Sequence, residues 1–339
     1  MTYIDCAAWR RFTETCGRSL VVVITALACL LGVDATPTFA AAPFPNRPIT
    51  LIVAFEAGGS TDISARLVAR QLSEVLGQQV VVDNRPGAGG RLGTRRFSEA
   101  EPDGYTLLWG SGSTLTVSPV LYDDQQYVKE LTPVSLGVTQ PFLFAASTAT
   151  GAKTLKDFIA LAKAEPGKLN FASAGVGSSN HLLGEIFMAA TGTELRHIPY
   201  KGGASARDAV AKNEAQLMDE VLSPLIGSIK AGQLQPLLIT SDTRHPLFPN
   251  VPTAAEAGVP DLAMVGFFAL LAPAKTPPDI VRTLNVAMKK ALDEPSLRTA
   301  LDRAGFDPAY SSPEDLQRRI EQGRARYGDI VVRRKIKIN

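Results

Sequence analysis

The sequence predicts an α/β protein of two lobes, and three observations predict it. A near-continuous apolar run, Ile49, Leu51, Ile52, Val53, Ala54 and Phe55, reads as a strand buried on both faces. It passes through Gly58 and Gly59 into apolar residues at helical spacing, Ile63, Leu67, Leu72, Val75 and Leu76. The same order of strand, glycine-serine turn and helix returns at 168–191. Elsewhere strands alternate with helices, which points to βαβ units and a parallel sheet.

With 339 residues, 45% of them hydrophobic, the chain is long enough for about two domains. A formal net charge of +2 is too balanced for nucleic acid as the main partner. Residues 1–42 differ from the rest. Arg10, Arg11 and Arg18 precede an apolar run at 20–33, and Ala40, Ala41 and Ala42 follow. That order matches a cleaved secretory signal peptide and predicts a periplasmic protein. The run is shorter than the roughly 20 residues a bilayer-spanning helix needs. Cys6, Cys16 and Cys29, all the cysteines of the chain, lie in this segment, so the mature protein would carry no thiol and no disulfide. No later run is long and apolar enough to span a bilayer.

After an irregular, proline-containing lead-in, the first strand and helix are followed by a strand at 79–83 and a loop at 84–90. A short helix at 92–99, turn chemistry at 101–104 and a strand at 105–109 come next. A small-residue turn occupies 110–114, and two apolar stretches lie at 134–138 and 142–146. From there the pattern predicts helix 154–164, strand 168–173, helix 180–191 and strand 195–199. Helix 205–212, strand 215–219, helix 222–231 and strand 235–240 complete the block. A last strand-like run spans 265–273. Helix fills most of 277–334, broken at Pro295 and Pro308. The charges of the last helix, Arg318, Arg319, Glu321, Arg324 and Arg326, read as a solvated face.

A helix that starts just after a strand offers unpaired N–H groups and a partial positive charge, so an anion can sit there. Ser60, Thr61 and Asp62 are good residues for such a start. The first turn lacks the lysine of a phosphate-binding loop and the third glycine of a dinucleotide site. It is either an anion seat or a plain tight connection. The second turn, Gly175, Val176, Gly177, Ser178, Ser179 and Asn180, has the same equipment and the same two readings. If the lobes face each other, both turns donate to one ligand at their interface. His181 is read as a packing or capping residue, Lys201 as solvated, and Trp109 and Phe267 as core. Asp219 ends a strand and is read as a ligand contact or a structural cap. His181, His197 and His245 have no metal-ligand spacing, so no metal, cofactor or catalytic group is expected. A hydrolase using Asp62 or Asp219 is the rival reading from another class.

The ordered motifs resemble a known family. They begin with Arg47-Pro-Ile-Thr-Leu-Ile-Val53, Gly58-Gly-Ser-Thr-Asp62 and Ala65-Arg66. Val82-Asp-Asn-Arg-Pro-Gly-Ala-Gly-Gly90 and Pro102-Asp-Gly-Tyr-Thr-Leu107 follow. Gly177-Ser-Ser-Asn-His-Leu182, His197-Ile-Pro-Tyr-Lys-Gly202 and Ile229-Lys-Ala-Gly232 continue the set. Together they resemble Bug-family proteins, the solute receptors of tripartite tricarboxylate transporters. The resemblance implies a type II periplasmic binding protein fold, with two α/β lobes, two hinge crossings and a ligand cleft between the lobes. It implies a monomeric receptor that binds a small carboxylate and delivers it to membrane transporter subunits; a sensor for a membrane kinase is the alternative. Hinge crossings are expected near 139–147 and 262–272, giving lobe 1 as 43–143 plus 266–339 and lobe 2 as 144–265. Carried over by position, the contacts are Phe55, Gly58, Gly59, Ser60, Thr61 and Asp62 from the first loop. Gly175, Gly177, Ser178, Ser179 and Asn180 come from the second; Asp219 joins them from its place at a strand end, not from the resemblance. The sequence departs from the family at Val53-Ala54-Phe55-Glu56, where the family usually has Val-Pro before the aromatic residue. Glu56 would repel a carboxylate unless it points away or recognises an amine or hydroxyl.

Overall fold

A computed structural model describes residues 44–122, 126–333 and 335–336. The signal peptide and the three cysteines read from the sequence lie outside the described residues. Among the described residues, no helix is long and apolar enough to cross a membrane.

The first half alternates strand and helix: β1 (Ile49–Val53), α1 (Ser60–Leu76), β2 (Val80–Asn84), α2 (Arg91–Ser98) and β3 (Thr106–Ser111). A widened helical turn (Ser113–Val117) leads into β4 (Leu131–Ser147). Then come α3 (Leu155–Ala164), β5 (Asn170–Ser173), α4 (Ser179–Thr191), β6 (Arg196–Pro199), α5 (Gly203–Ala211), β7 (Leu217–Val221) and β8 (Leu234–Ile239). The chain ends with β9 (Val265–Pro273), α6 (Pro278–Asp293), α7 (Pro295–Arg303), β10 (Asp307–Pro308) and α8 (Pro313–Arg333).

The strands lie in the order β2-β1-β3-β9-β4-β7-β5-β6. The expected parallel pairing holds within β2-β1-β3 and within β7-β5-β6. The centre is antiparallel, because β9 runs against β3 and β4, and β4 runs against β7 and β8. The sheet is therefore mixed, and two parallel α/β units are joined by two long central strands.

The two apolar stretches at 134–138 and 142–146 belong to one strand of 17 residues, β4. Pro133 and Pro141 argue locally against a continuous strand, since neither can donate to a ladder. Pro133 falls where the register with β9 slips, and Pro141 is the last residue to pair with β9. From Phe142 onward β4 pairs with β7 instead. One strand thus runs out of one half of the molecule and into the other.

α1 packs its small residues inward: Ala65, Val68, Ala69 and Leu72 are buried, whereas Ile63, Leu67, Val75 and Leu76 pack at the edge of the core. Trp109 is fully buried, and its indole N–H donates to Ser64 Oγ on α1 at 2.9 Å, so its polar edge is satisfied. In α4 the expected face holds: Leu182, Leu183, Ile186 and Phe187 are all fully buried.

Candidate functional site

The carboxyl ends of β1, β3, β5 and β7 converge on one cavity of about 30 Å³. In open α/β sheets this is where ligands sit, because strand ends and helix N-termini meet there. β1 leads into Phe55, Gly59, Ser60 and Thr61; β3 supplies Ser111, Gly112 and Ser113. From the other half come Ala174, Ser179, Asn180, Gly203 and Glu220, and Phe142 and Phe267 close the sides.

The first loop forms the N-terminus of α1. Gly58 has a φ of +80°, a conformation that favours glycine, whereas Gly59 is extended and serves as the N-cap. No side chain caps this helix. Its first N–H groups therefore lack the usual hydroxyl or carboxylate partner. Asp62, expected as a contact, does not line the cavity. It accepts from Gly58 N–H at 2.9 Å and from Arg66 Nε at 2.9 and 3.0 Å. Burial opposes its charge, but the hydrogen bonds from Arg66, Gly58 N–H and Asn84 hold its carboxyl below the ordinary value. Asp62 shapes the loop from behind. Gly58 likewise lies off the cavity lining.

The second loop forms the N-terminus of α4. Ser178, expected as a contact, is fully buried and is the cap: its Oγ accepts from His181 N–H at 3.2 Å. Ser179 and Asn180 reach the cavity. Ser179 N–H donates to Ser113 Oγ at 3.0 Å, and the two hydroxyls are also 3.0 Å apart. The turn after β3 is thus tied to α4 across the interface. Gly175 and Gly177 lie behind the lining, where Gly175 packs on Gly89 and Gly177 on the Tyr122 ring. Gly177 N–H donates to His181 Nδ1 at 3.2 Å, and the His181 ring stacks on His197 at 3.9 Å. His181 is a packing and loop-holding residue.

The acid in the cavity is Glu220, not Asp219. Asp219 points inward, where its Oδ2 accepts from Asn180 Nδ2 at 3.2 Å and its carbonyl from the same group at 2.7 Å. Burial and then the neighbouring Glu220 push the Asp219 carboxyl well above the usual range. Glu220 Oε1 accepts from Ser60 Oγ at 3.2 Å and from Val221 N–H at 2.8 Å. Burial pushes its carboxyl up to about 7, although the Val221 and Ser60 hydrogen bonds favour the charged form. Glu56 does not line the cavity; its Oε1 accepts from Ser205 N–H at 2.7 Å. Phe267, read as core, forms a wall of the cavity. Lys201 lies on an outer groove beside Glu56 and Tyr200.

Among the described residues no group of three or more His, Cys, Asp or Glu side chains is placed to hold a metal ion. Sequence reasoning missed Ser113, Gly203 and Glu220. Strand β7 is buried along its whole length, so no in–out alternation marked Glu220 rather than Asp219 as the cavity residue.

Two α/β units, helix N-termini at their interface and a cavity between them define the class of periplasmic binding proteins. The model of the tripartite tricarboxylate transporter family receptor matches residues 64–336, and the chain belongs to that family. It is 36% identical over 316 residues to Protein BugT of Bordetella pertussis, covering 91% of this chain and 97% of that one. A solved periplasmic transporter superimposes with a TM-score of 0.85 at 37% identity, over 87% of this chain and 100% of the other. An R. palustris protein solved with adipate superimposes with a TM-score of 0.83 at 33% identity, over 87% and 99% of the two chains.

Proposed function

We propose that the protein is a periplasmic receptor that closes its two lobes on a small carboxylate and delivers it to a membrane transporter. One observation carries this reading: the uncapped N-terminus of α1 and the N-terminus of α4 line the same cavity. That arrangement offers a carboxylate donors from two sides without a basic side chain. Hydrogen bonds to a charged acceptor contribute about 1.5–3 kcal/mol each, enough for a few to hold a small acid. The related protein solved with adipate supports the ligand class. The family's description supports the transporter partner.

Closure is by hinge motion. The hinge crossings are the hand-over in β4 between Pro141 and Phe142 and the entry to β9, where Met264 N–H donates to the Thr240 carbonyl. Those positions support lobes of 43–143 plus 266–339 and of 144–265. Export through residues 1–42 and a monomeric receptor complete the reading.

The test is a thermal-shift screen of the purified protein against mono-, di- and tricarboxylates, followed by calorimetry and recovery of the ligand. The expected result is a rise in melting temperature with at least one small carboxylate, returned chemically unchanged. Silence across all carboxylates, or turnover of the bound compound, would end the proposal.

A further inference from the structure

We propose that the ligand of this cavity carries an ammonium group beside its carboxylate, and that Glu220 receives the ammonium. The inference rests on the reading of the cleft as a carboxylate seat and narrows the ligand to amino-carboxylates.

Glu220 is the one ionisable side chain among the described residues that line the cavity. A ligand carboxylate entering alone would place a second negative charge beside it, with no lining cation to separate them. Like charges sharing a desolvated site oppose each other's ionisation. A ligand with both signs of charge removes that conflict, since its carboxylate meets the helix N-termini and its ammonium meets Glu220.

The geometry holds Glu220 as an acceptor. Both partners of Oε1, the Ser60 hydroxyl and the Val221 N–H, donate to it. Oε2 accepts no hydrogen bond among the described residues and lies against Gly203, where a Cβ would come within 1.8 Å of it. Only glycine at 203 leaves that oxygen where it is.

The charged groups around Glu220 are otherwise engaged. Arg207 on α5 is the base that draws on it, but Nε and Nη2 of Arg207 bind Asp208 Oδ1 at 2.9 and 2.7 Å. Its Nη1 donates to the Pro224 carbonyl at 3.4 Å. On α1, Asp62 faces Arg66. Glu56 faces the N-terminus of α5 through Ser205 N–H, and Asp219 on the same strand adds a further acid. Among the described residues no cation pairs directly with the Glu220 carboxylate, so an ammonium on the ligand would meet its charged form without a competitor.

The experiment is calorimetry at pH 7 with matched compounds that differ by one amino group. These are L-aspartate against succinate, β-alanine against propionate and 4-aminobutyrate against butyrate. Each is run in two buffers of different ionisation enthalpy. The expected result is at least a ten-fold preference for the amino member of one pair. Binding should release protons, because Glu220, raised to about 7 in the empty cleft, ionises on meeting an ammonium. Glu220→Gln should abolish the preference with the fold intact; Glu220→Asp, a second variant, should keep its direction. If the amino-free acid binds equally or more tightly, with proton uptake, then Glu220 donates to a carboxylate and the proposal is overturned while the seat stands. If neither class binds, the carboxylate seat itself falls and takes this proposal with it.

Discussion

Glu56 Oε1 accepts a hydrogen bond from the Ser205 backbone N–H at 2.7 Å, which ties the loop after β1 to the first turn of α5 in the other half of the molecule. The N-cap of α5, Gly202, offers no side chain, so Glu56 supplies the carboxylate that the helix N-terminus favours. The residue that departs from the family pattern lies off the cavity lining and bridges the two halves from outside it. Glu56→Ala should therefore weaken ligand binding by about five-fold, the equivalent of about 1 kcal/mol. It should also enlarge the unliganded protein in small-angle scattering. Unchanged affinity and unchanged scattering would show that this bridge does not hold the halves together.

Gly89 sets how closely the two halves approach. Its φ is +61°, and a Cβ there would lie 2.4 Å from the Val176 carbonyl oxygen on the facing loop. Gly89→Ala should hold the cleft open and cut affinity at least ten-fold. Gly77→Ala is the control: its φ of +67° brings similar backbone strain, but nothing lies within 4 Å of the new Cβ. The control should lose some melting temperature and keep its affinity. Equal losses of affinity in both variants would mean that strain, not contact, explains Gly89.

Local patterns made α4 and its buried face legible, as they did the two turns where helices follow strands. The signals that failed were non-local. β4 reads as two apolar stretches, interrupted at Thr139, Gln140 and Pro141, yet Pro133 and Pro141 sit where pairing shifts or hands over. Along β7 every residue is buried, so periodicity cannot say which of Asp219 and Glu220 faces the cavity. The contacts that knit the halves, Ser113 to Ser179 and Glu56 to Ser205, join residues 66 and 149 positions apart. No helix or strand period reports such a pair.

Ser178 and Ser179 are neighbours with separable roles. Ser178 caps α4 and is sealed from the cavity, so Ser178→Ala should cost about 1 kcal/mol of stability and leave affinity nearly unchanged. Ser179 lines the cavity and holds Ser113, so Ser179→Ala should weaken binding by several-fold with a smaller loss of melting temperature. Thermal melts and calorimetry on both variants check the assignment, and the reverse pattern would exchange the two roles.

Acid stability should depend on His197. Burial, followed by the nearby His181, pushes its pKa down to about 3 from 6.5. The folded state therefore keeps His197 neutral while the unfolded chain protonates it near 6.5. Between pH 6.5 and 3 the unfolded state binds more protons, so stability falls as pH falls through that window. Glu220 works in the opposite sense: raised to about 7 from 4.5, it is protonated in the folded state where the unfolded chain is ionised. It makes stability fall as pH rises from 4.5 to 7, so the two slopes oppose each other between 4.5 and 6.5. Below 4.5 Glu220 is protonated in both states, but Asp219, raised from 3.8 by burial, still opposes the His197 slope until about pH 3.8. His197→Gln should therefore flatten the acid limb of the stability curve most strongly between pH 3.8 and 3. Denaturant melts of both proteins across this range provide the comparison, and parallel curves would show that His197 is already protonated in the fold.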